Sequence, residues 1–353
     1  MGIKRNAAGR GAGPFQNLDE DDSHPEEARK PVTTEQLVQQ LKETADKLIR
    51  DQATRGDVKL LSTALKELRY AFKVFAPYRH RRKVTVFGSA RLPLTDPSCL
   101  QAIEFGKQMA ANGYLVITGA ASGIMEVGHV GAGRQNSIGI NILLPFEQEA
   151  NTIIRDDHKL MHLKYFFTRK LLFLKESDAV VLFPGGFGTL DEAFEVLTLV
   201  QTGKSHLFPI VMIDPPGSDY WAHFLRFTRD VLLTRGLISD YDLHLFKVTQ
   251  SVEEAVNEVL GFYRVYHSMR YVRGDLVLRL QKRLNDAALN QLRADFRDMA
   301  RDGTLEQTDA LPEEANEPNL LGLPRLKLRF DRQRIGRLRQ LVDAINTADF
   351  GNG

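Results

Sequence analysis

Phe183-Pro184-Gly185-Gly186-Phe187-Gly188-Thr189-Leu190-Asp191-Glu192 is the stretch around which the chain is organised. Before it, Asp178 to Phe183 is a short continuous apolar run that reads as a buried parallel strand. After it, Ala193 to Val200 is apolar at helical spacing. The glycines therefore stand at the carboxyl end of a strand and the amino end of a helix. There the free N–H groups of the first turn and the helix dipole favour a phosphate or carboxylate. Gly185, Gly186 and Gly188 let the backbone approach that anion, and Thr189 is placed to cap the helix or to donate its hydroxyl. Asp191 and Glu192 add carboxylates that would repel an anion at the helix end. A carboxylate aimed past the phosphate, at another part of the ligand, resolves that conflict. The plainer reading is a glycine turn whose acidic residues serve only the helix.

Working outward, the same alternation recurs. Strands are predicted at Val84–Phe87, Tyr114–Thr118, Ser137–Leu143, Phe208–Ile213 and Leu243–Val248. Helices are predicted at Cys99–Ala111, from Ile124, at His162–Lys175, from Tyr220 to about Leu233 and at Val252–Tyr263. This pattern predicts an α/β fold, a doubly wound and mostly parallel Rossmann-like sheet with helices on both faces. Ligands in such sheets bind outside the carboxyl ends of the strands. Three strand ends carry small residues: Gly88-Ser89, Gly119 to Gly123, and Gly185 to Gly188. In a parallel sheet all three share one edge. With Arg169-Lys170 on the intervening helix they point to a nucleotide-like anion, and neither of the first two turns is a G-x-G-x-x-G dinucleotide fingerprint.

The 353 residues divide into a tail (1–32), expected to be disordered; a helical hairpin (33–78) with Gly56-Asp57 as its break; the Rossmann-like unit (79–266); and a small C-terminal α+β extension (267–353). In the extension, Asp275–Leu280 and Arg325–Phe330 alternate and are predicted to pair. Helices are expected from about Gln281 to Ala300 and from Asp331 to Ala348, with an acidic loop from Asp302 to Pro318. Arg79-His80-Arg81-Arg82-Lys83 reads as a solvated linker, with a phosphate-facing patch as the alternative. Arg325, Lys327, Arg329, Arg332, Arg334, Arg337 and Arg339 read as a solvated face answered by the acidic loop, with RNA binding as the alternative.

A net charge of +2 does not by itself call for nucleic acid or an anionic membrane. The single cysteine, Cys99, excludes an internal disulfide framework and a multi-cysteine zinc site. No apolar run reaches the ~20 residues that span a bilayer. A cytoplasmic protein with no metal, no cofactor, no membrane contact and no nucleic-acid partner is expected.

Pro184 to Glu192, with Arg169-Lys170 upstream, resembles the LOG ("Lonely guy") family of nucleotide phosphoribohydrolases, long mislabelled as lysine decarboxylases. Phe87 to Arg91, Gly123-Ile124-Met125-Glu126 and Gly131-Ala132 are similar to two further blocks of that family. Asn141 to Gln148 and Tyr165 to Lys170 resemble a bacterial branch with added terminal segments. The resemblance covers about residues 80 to 265. It implies an enzyme that hydrolyses the N-glycosidic bond of a nucleoside 5′-monophosphate, AMP or a cytokinin riboside monophosphate, to free base and ribose 5-phosphate. It also implies a homodimer. By the same resemblance the Gly185-to-Thr189 turn holds the 5′-phosphate, with Ser89 and Gly123 in the neighbouring turns. Glu192 stabilises an oxocarbenium-like transition state or activates water, and Arg169 assists. Lys170 and Thr198 contact the ligand, and Glu149 (or Glu147) matches a substrate-contacting glutamate. The chain departs from the family at Ala120 and Ala121, whose methyls are expected to narrow the pocket, and at His129. His129 and His162 both read as helix residues. The alternative functions are a non-catalytic nucleotide or molybdenum-cofactor binder on the same fold, a pyridoxal-dependent decarboxylase using Lys170, and an RNA-binding protein.

Overall fold

The computed structural model describes residues 33–143, 149–300, 303–332 and 334–348. The tail expected to be disordered, residues 1–32, and Glu147 lie outside them. The chain opens with helices α1 (Thr34–Arg50) and α2 (Arg55–Phe75). The break falls earlier than Gly56-Asp57. Thr54 caps α2, and Asp57 completes its capping box from within the first turn. Helix α1 buries none of its residues, whereas α2 buries Ala64, Ala71 and Phe75.

Next come β1 (Lys83–Phe87), α3 (Pro97–Ala111), β2 (Leu115–Thr118), α4 (Ile124–Ala132), β3 (Ser137–Ile142) and β4 (Leu160–Leu163). They are followed by α5 (Phe166–Glu176), β5 (Ala179–Leu182), α6 (Phe187–Gln201), β6 (Ile210–Ile213), α7 (Tyr220–Phe227), β7 (Phe246–Thr249) and α8 (Val252–Phe262). The seven strands form one sheet in the order β4-β3-β2-β1-β5-β6-β7, with every pairing parallel. The winding reverses between β1 and β5, which lie side by side with Phe87 opposite Leu182. That is the switch point of a doubly wound sheet, where a crevice opens at the carboxyl ends.

Alternate side chains feed the two faces, as strand geometry demands. Val84 and Val86 pack with Phe105 and Met109 of α3 and with Val256 and Val259 of α8. Phe87 turns the other way, onto Phe173 of α5, at 4.8 Å between ring centroids and nearly edge-on. No helix among the described residues is long and apolar enough to cross a membrane.

The C-terminal segment adds β8 (Tyr266–Val272), β9 (Asp275–Leu280), α9 (Asp286–Asp295), β10 (Glu306–Thr308), β11 (Arg325–Leu328) and α10 (Ile335–Thr347). Its sheet runs β10-β11-β9-β8, all antiparallel, and the expected pairing of the two alternating runs is present, with Leu326 opposite Leu278. Asn346 of α10 ties the two units together. Its Oδ1 accepts from the amides of Val265 and Tyr266, and its Nδ2 donates to the carbonyl of Phe262.

Several elements differ from the sequence reading. His162 is not helical: it is the one exposed residue of β4, a four-residue edge strand too short to announce itself, and the helix begins only at Phe166. Strands β8 and β10 fall where no strand was expected, and α9 is half the predicted length, starting at its cap Asn285. The basic run is solvated only at Arg79 and His80, which are exposed. Arg82 pairs with Asp178 at 3.1 Å and lies 3.5 Å over the ring of Tyr263, while Lys83 is a buried residue of β1 near Glu176. The C-terminal basic residues form a solvated face only in part: Arg329 and Arg332 are exposed, and Lys327 meets Glu306 of the acidic segment at 2.9 Å. Arg325 and Arg339 are buried; Arg325 is held by Glu314, Arg339 by Glu258 and Asp343, and Arg337 by Asp298. The acidic segment answers only some of these charges, and neighbouring helices answer the rest.

Candidate active site

The crevice at the switch point is a cavity of about 710 Å³. Its floor is built from the turn after β5 and the start of α6. Gly186 precedes that helix, and no side chain caps it. The first amides of α6 are thus left to face the cavity, in the arrangement that receives an anion. Gly185 is required by packing, because a Cβ there would lie 2.1 Å from Thr189 Oγ1 and 2.9 Å from the amide of Ser89. At Gly186 and Gly188 a Cβ would meet nothing within 4 Å, since both line open space.

The second wall is the turn after β1. Ser89 donates its amide to the carbonyl of Pro184 at 3.0 Å, so the two turns at the switch point are stitched together. Gly123 supports this wall from behind. Its φ is +62°, and a Cβ would fall 2.3 Å from the carbonyl oxygen of Ser89. It does not line the cavity.

Arg169 reaches the cavity from the first turn of α5, with its guanidinium 5.2 Å from the ring centre of Phe173. Glu192 reaches it from the second turn of α6 and is 7 % exposed. Burial pushes its carboxyl up to about 7, against the pull of Lys170 and Arg169. A carboxyl pushed toward neutrality inside a crevice is a candidate functional group.

Lys170 is next to Arg169 in sequence but does not line this cavity. It borders a shallower depression of about 430 Å³ together with Asp191, Glu195 and Thr198. Its Nζ lies 2.6 Å from Glu195, 2.9 Å from Asp191 and 3.7 Å from Glu192. Burial works to lower its pKa, but the bonds to Glu195 and Asp191 outweigh burial and raise it. Thr198 lies exposed on that same outer face. Glu149 stands elsewhere, largely exposed and paired with Arg155 at 2.8 Å.

The departures at Ala120, Ala121 and His129 act on the scaffold. Ala120 packs with Ala150, Ile154 and Leu160, so its methyl does not narrow the cavity, and Ala121 is not in the lining either. His129 is fully buried. Its Nδ1 accepts from Asn151 Nδ2 at 3.3 Å, and its Nε2 stands 3.2 Å from the carbonyl of Ile138. Burial holds it down to about 4, so it is a neutral structural group.

Sequence reasoning missed Tyr220, whose hydroxyl donates to the carbonyl of Gly185 at 2.6 Å and so fixes the glycine turn. Phe166 and Met125 also line the cavity, as does Phe187, which is 90 % exposed at its rim. No motif marks Tyr220. Met125 and Phe166 do fall inside stretches quoted for the resemblance.

Comparison with known proteins gives a consistent family. The family model described as "Possible lysine decarboxylase" matches residues 119–259. The cytokinin riboside 5′-monophosphate phosphoribohydrolase of Mycobacterium tuberculosis is 30% identical over 162 residues, covering 44% of this chain and 81% of that protein. The Arabidopsis thaliana enzyme of the same name is 30% identical over 168 residues, covering 45% of this chain and 73% of its own length. Among solved structures, the molybdenum cofactor binding protein of Rippkaea orientalis aligns with a TM-score of 0.35 at 19% identity, over 51% of this chain and 95% of that one. A likeness at that level carries nothing about function.

Proposed function

The chain belongs to the LOG family, that of the cytokinin riboside 5′-monophosphate phosphoribohydrolases, and on that basis we propose that it hydrolyses the N-glycosidic bond of a nucleoside 5′-monophosphate, AMP or a cytokinin riboside monophosphate, to free base and ribose 5-phosphate. The observation that carries the reading is one cavity that joins an uncapped helix amino terminus to a buried carboxylate, Glu192, on the next turn of the same helix. The open amides at Gly186 and Gly188 receive the 5′-phosphate. One turn further on, Glu192 faces the ribose. As the glycosidic bond breaks, positive charge builds on the sugar, and a carboxylate fixed beside it stabilises the transition state more than the ground state. Arg169, on the facing wall, contributes positive charge for the phosphate or the departing base. Water adds to the sugar carbon and the base leaves with a proton.

Lys170 acts through Glu192 in this reading: its charge, shared among three carboxylates, holds Glu192 toward the ionised form. The same surroundings speak against a decarboxylase. A Schiff base needs a neutral amine, and Lys170 is held protonated by Glu195 and Asp191. Phe194 on α6 is an exposed apolar residue of the outer depression that holds Lys170 and Thr198, and Phe166, Phe167 and Leu171 are exposed on α5, the helix that carries Lys170. We infer that a second copy of the chain covers this face, and we take the protein to be cytoplasmic.

The test is chromatography of AMP, GMP, CMP, IMP and isopentenyladenosine monophosphate after incubation with the purified chain. Free base and ribose 5-phosphate in equal amounts from one or more of them is the expected result. The light-scattering mass of the same preparation is expected at twice that of the chain. Stabilisation by a nucleotide with no cleavage would replace this reading with a carrier.

The pH dependence follows from Glu192, which must be ionised to act. We expect kcat/KM to rise with pH through about 7, the value to which burial pushes this carboxyl. Lys170→Met removes the first of the cations that lower it, so the rising limb should move to higher pH. The substrate phosphate titrates alike with both proteins, so the displacement between the two profiles reports Glu192. Superimposable profiles would remove Lys170 from this role.

A further inference from the structure

The basic run Arg79-His80-Arg81-Arg82 takes no part in the active site. It stands at the opposite end of the parallel sheet, just before β1, and forms one wall of a second cavity of about 630 Å³. The other wall comes from the C-terminal segment, with Ser268 on β8, Gln281 after β9, and Asn316 and Asn319 in the turn that leads to β11. This is the volume range of small-molecule sites.

The charges there do not cancel. Two carboxylates line the cavity, and both are already neutralised. Asp178 meets Arg82 at 3.1 Å and accepts from the amide of Lys83 at 2.9 Å. Glu317 is held by Arg270 at 2.6 Å and also by Arg279. Arg81 directs its guanidinium to the carbonyl of Gly113 and to Asn136 Oδ1, both at 3.1 Å, which fixes its position and leaves its charge. Among the described residues, Arg79 and His80 meet no carboxylate. His267, on the same lining, is held below its ordinary value by burial first and then by the charges of Arg82, Arg279 and Arg325.

We propose that this cavity is a second ligand site, for a small molecule carrying a di- or triphosphate group. Guanidiniums pre-positioned by carbonyl bonds suit phosphate oxygens, with which they form charge-assisted, often paired hydrogen bonds. The amide side chains of Gln281, Asn316 and Asn319 supply further donors on the facing wall. Among the described residues the cavity is lined by no Phe, Tyr or Trp on which successive bases could stack, and the second sheet closes one side, so the shape favours a small ligand over a nucleic-acid strand. The site stands apart from the catalytic proposal, since none of its residues lines the active-site cavity.

The experiment is titration calorimetry of the full chain with inorganic tripolyphosphate at physiological salt. The wild type is compared with Arg79→Glu/His80→Glu and, on the other wall, Asn316→Asp/Asn319→Asp. The wild type should bind at or below roughly millimolar concentration. Each double variant should lose that event, weakened at least roughly tenfold, while its nucleotide cleavage stays at the wild-type rate. Using both walls guards against one variant failing to fold. The active-site turn is intact in all three proteins, so any tripolyphosphate it takes up cancels in the comparison. Equal binding by all three, or no binding by the wild type, overturns the proposal. Binding of a short oligouridylate without binding of tripolyphosphate overturns it in favour of a nucleic-acid surface.

Discussion

Glu192→Gln should abolish turnover and at the same time raise the melting temperature at neutral pH. The catalytic loss follows from the role of the carboxylate. A pre-positioned charge that stabilises the developing cation is worth about 10²–10³ in rate or more, and an amide of the same shape offers none of it. The gain in stability follows from burial. The carboxyl is pushed from 4.5 up to about 7 in the fold, so the folded protein binds its proton more tightly than the unfolded chain does. For such an acid, stability falls as pH rises from about 4.5 through 7, and above that the ionised group is a standing cost. At about 1.4 kcal/mol per pK unit, that cost is of order 3 kcal/mol at most. Glutamine removes it and does not strand Lys170, which keeps Asp191 at 2.9 Å and Glu195 at 2.6 Å. The check is to measure kcat and thermal melting on the same protein. A variant that stays active, or that melts earlier with no activity, would show that Glu192 is part of the scaffold.

The second large effect is expected far from the cavity. Glu314→Gln should destabilise the C-terminal segment by about 3–5 kcal/mol. Glu314 is fully buried and carries two guanidiniums: Arg325 Nε at 2.9 Å, and Arg279 at 2.9 Å from Nε and 2.8 Å from Nη2. Its carboxylate also caps the turn above it by accepting from the amide of Leu311 at 3.1 Å. Burial works against its ionised form, but the bonds from Arg325, Leu311 and Arg279 dominate and hold its pKa at about 2. A carboxyl held below its unfolded value contributes stability that is present above pH 4.5 and lost as pH falls toward 2. Removing the charge strands Arg325, which is fully buried and whose other bonds among the described residues go to the carbonyls of Leu323 and Leu320. Denaturant melts at neutral pH should show the loss. Melts near pH 2, where the wild type is itself protonated, should bring the two proteins together. A variant as stable as the wild type at neutral pH would mean that the cluster is not held by its charges.

The glycine turn was legible because its chemistry is local. Gly185, Gly186, Gly188, Thr189 and Glu192 lie on one strand end and two helical turns, so spacing alone places them together. Arg169 and Lys170 were legible as a pair but not as a division of labour. Successive helix residues point about 100° apart, and that step sends one side chain to the cavity and the other to the outer carboxylates. Whether a helix residue such as His129 faces core or ligand depends on which neighbours cover it, and here Asn151 and Ile138 arrive from outside the helix. Tyr220 reaches Gly185 across 35 residues, through a helix, a strand and a turn whose sequences carry no sign of the contact. The basic runs were misread at Arg82, Lys83, Arg325 and Arg339 for the same reason. Local sequence shows charge, but Asp178, Glu258 and Glu314, which take up that charge, are supplied by the fold.

One helix start holds the phosphate in this mechanism, while Glu192 on its next turn stabilises the positive charge that builds on the sugar as the glycosidic bond breaks. The most direct measurement sets the preferred nucleoside 5′-monophosphate beside the same nucleoside without its phosphate and quantifies base, ribose 5-phosphate and inorganic phosphate. The account predicts equimolar base and ribose 5-phosphate from the monophosphate, no inorganic phosphate, and cleavage of the bare nucleoside slower by about 10³ or more in kcat/KM, because binding energy from the phosphate is used in the transition state. Equal cleavage of both compounds, or release of inorganic phosphate in place of base, would contradict it.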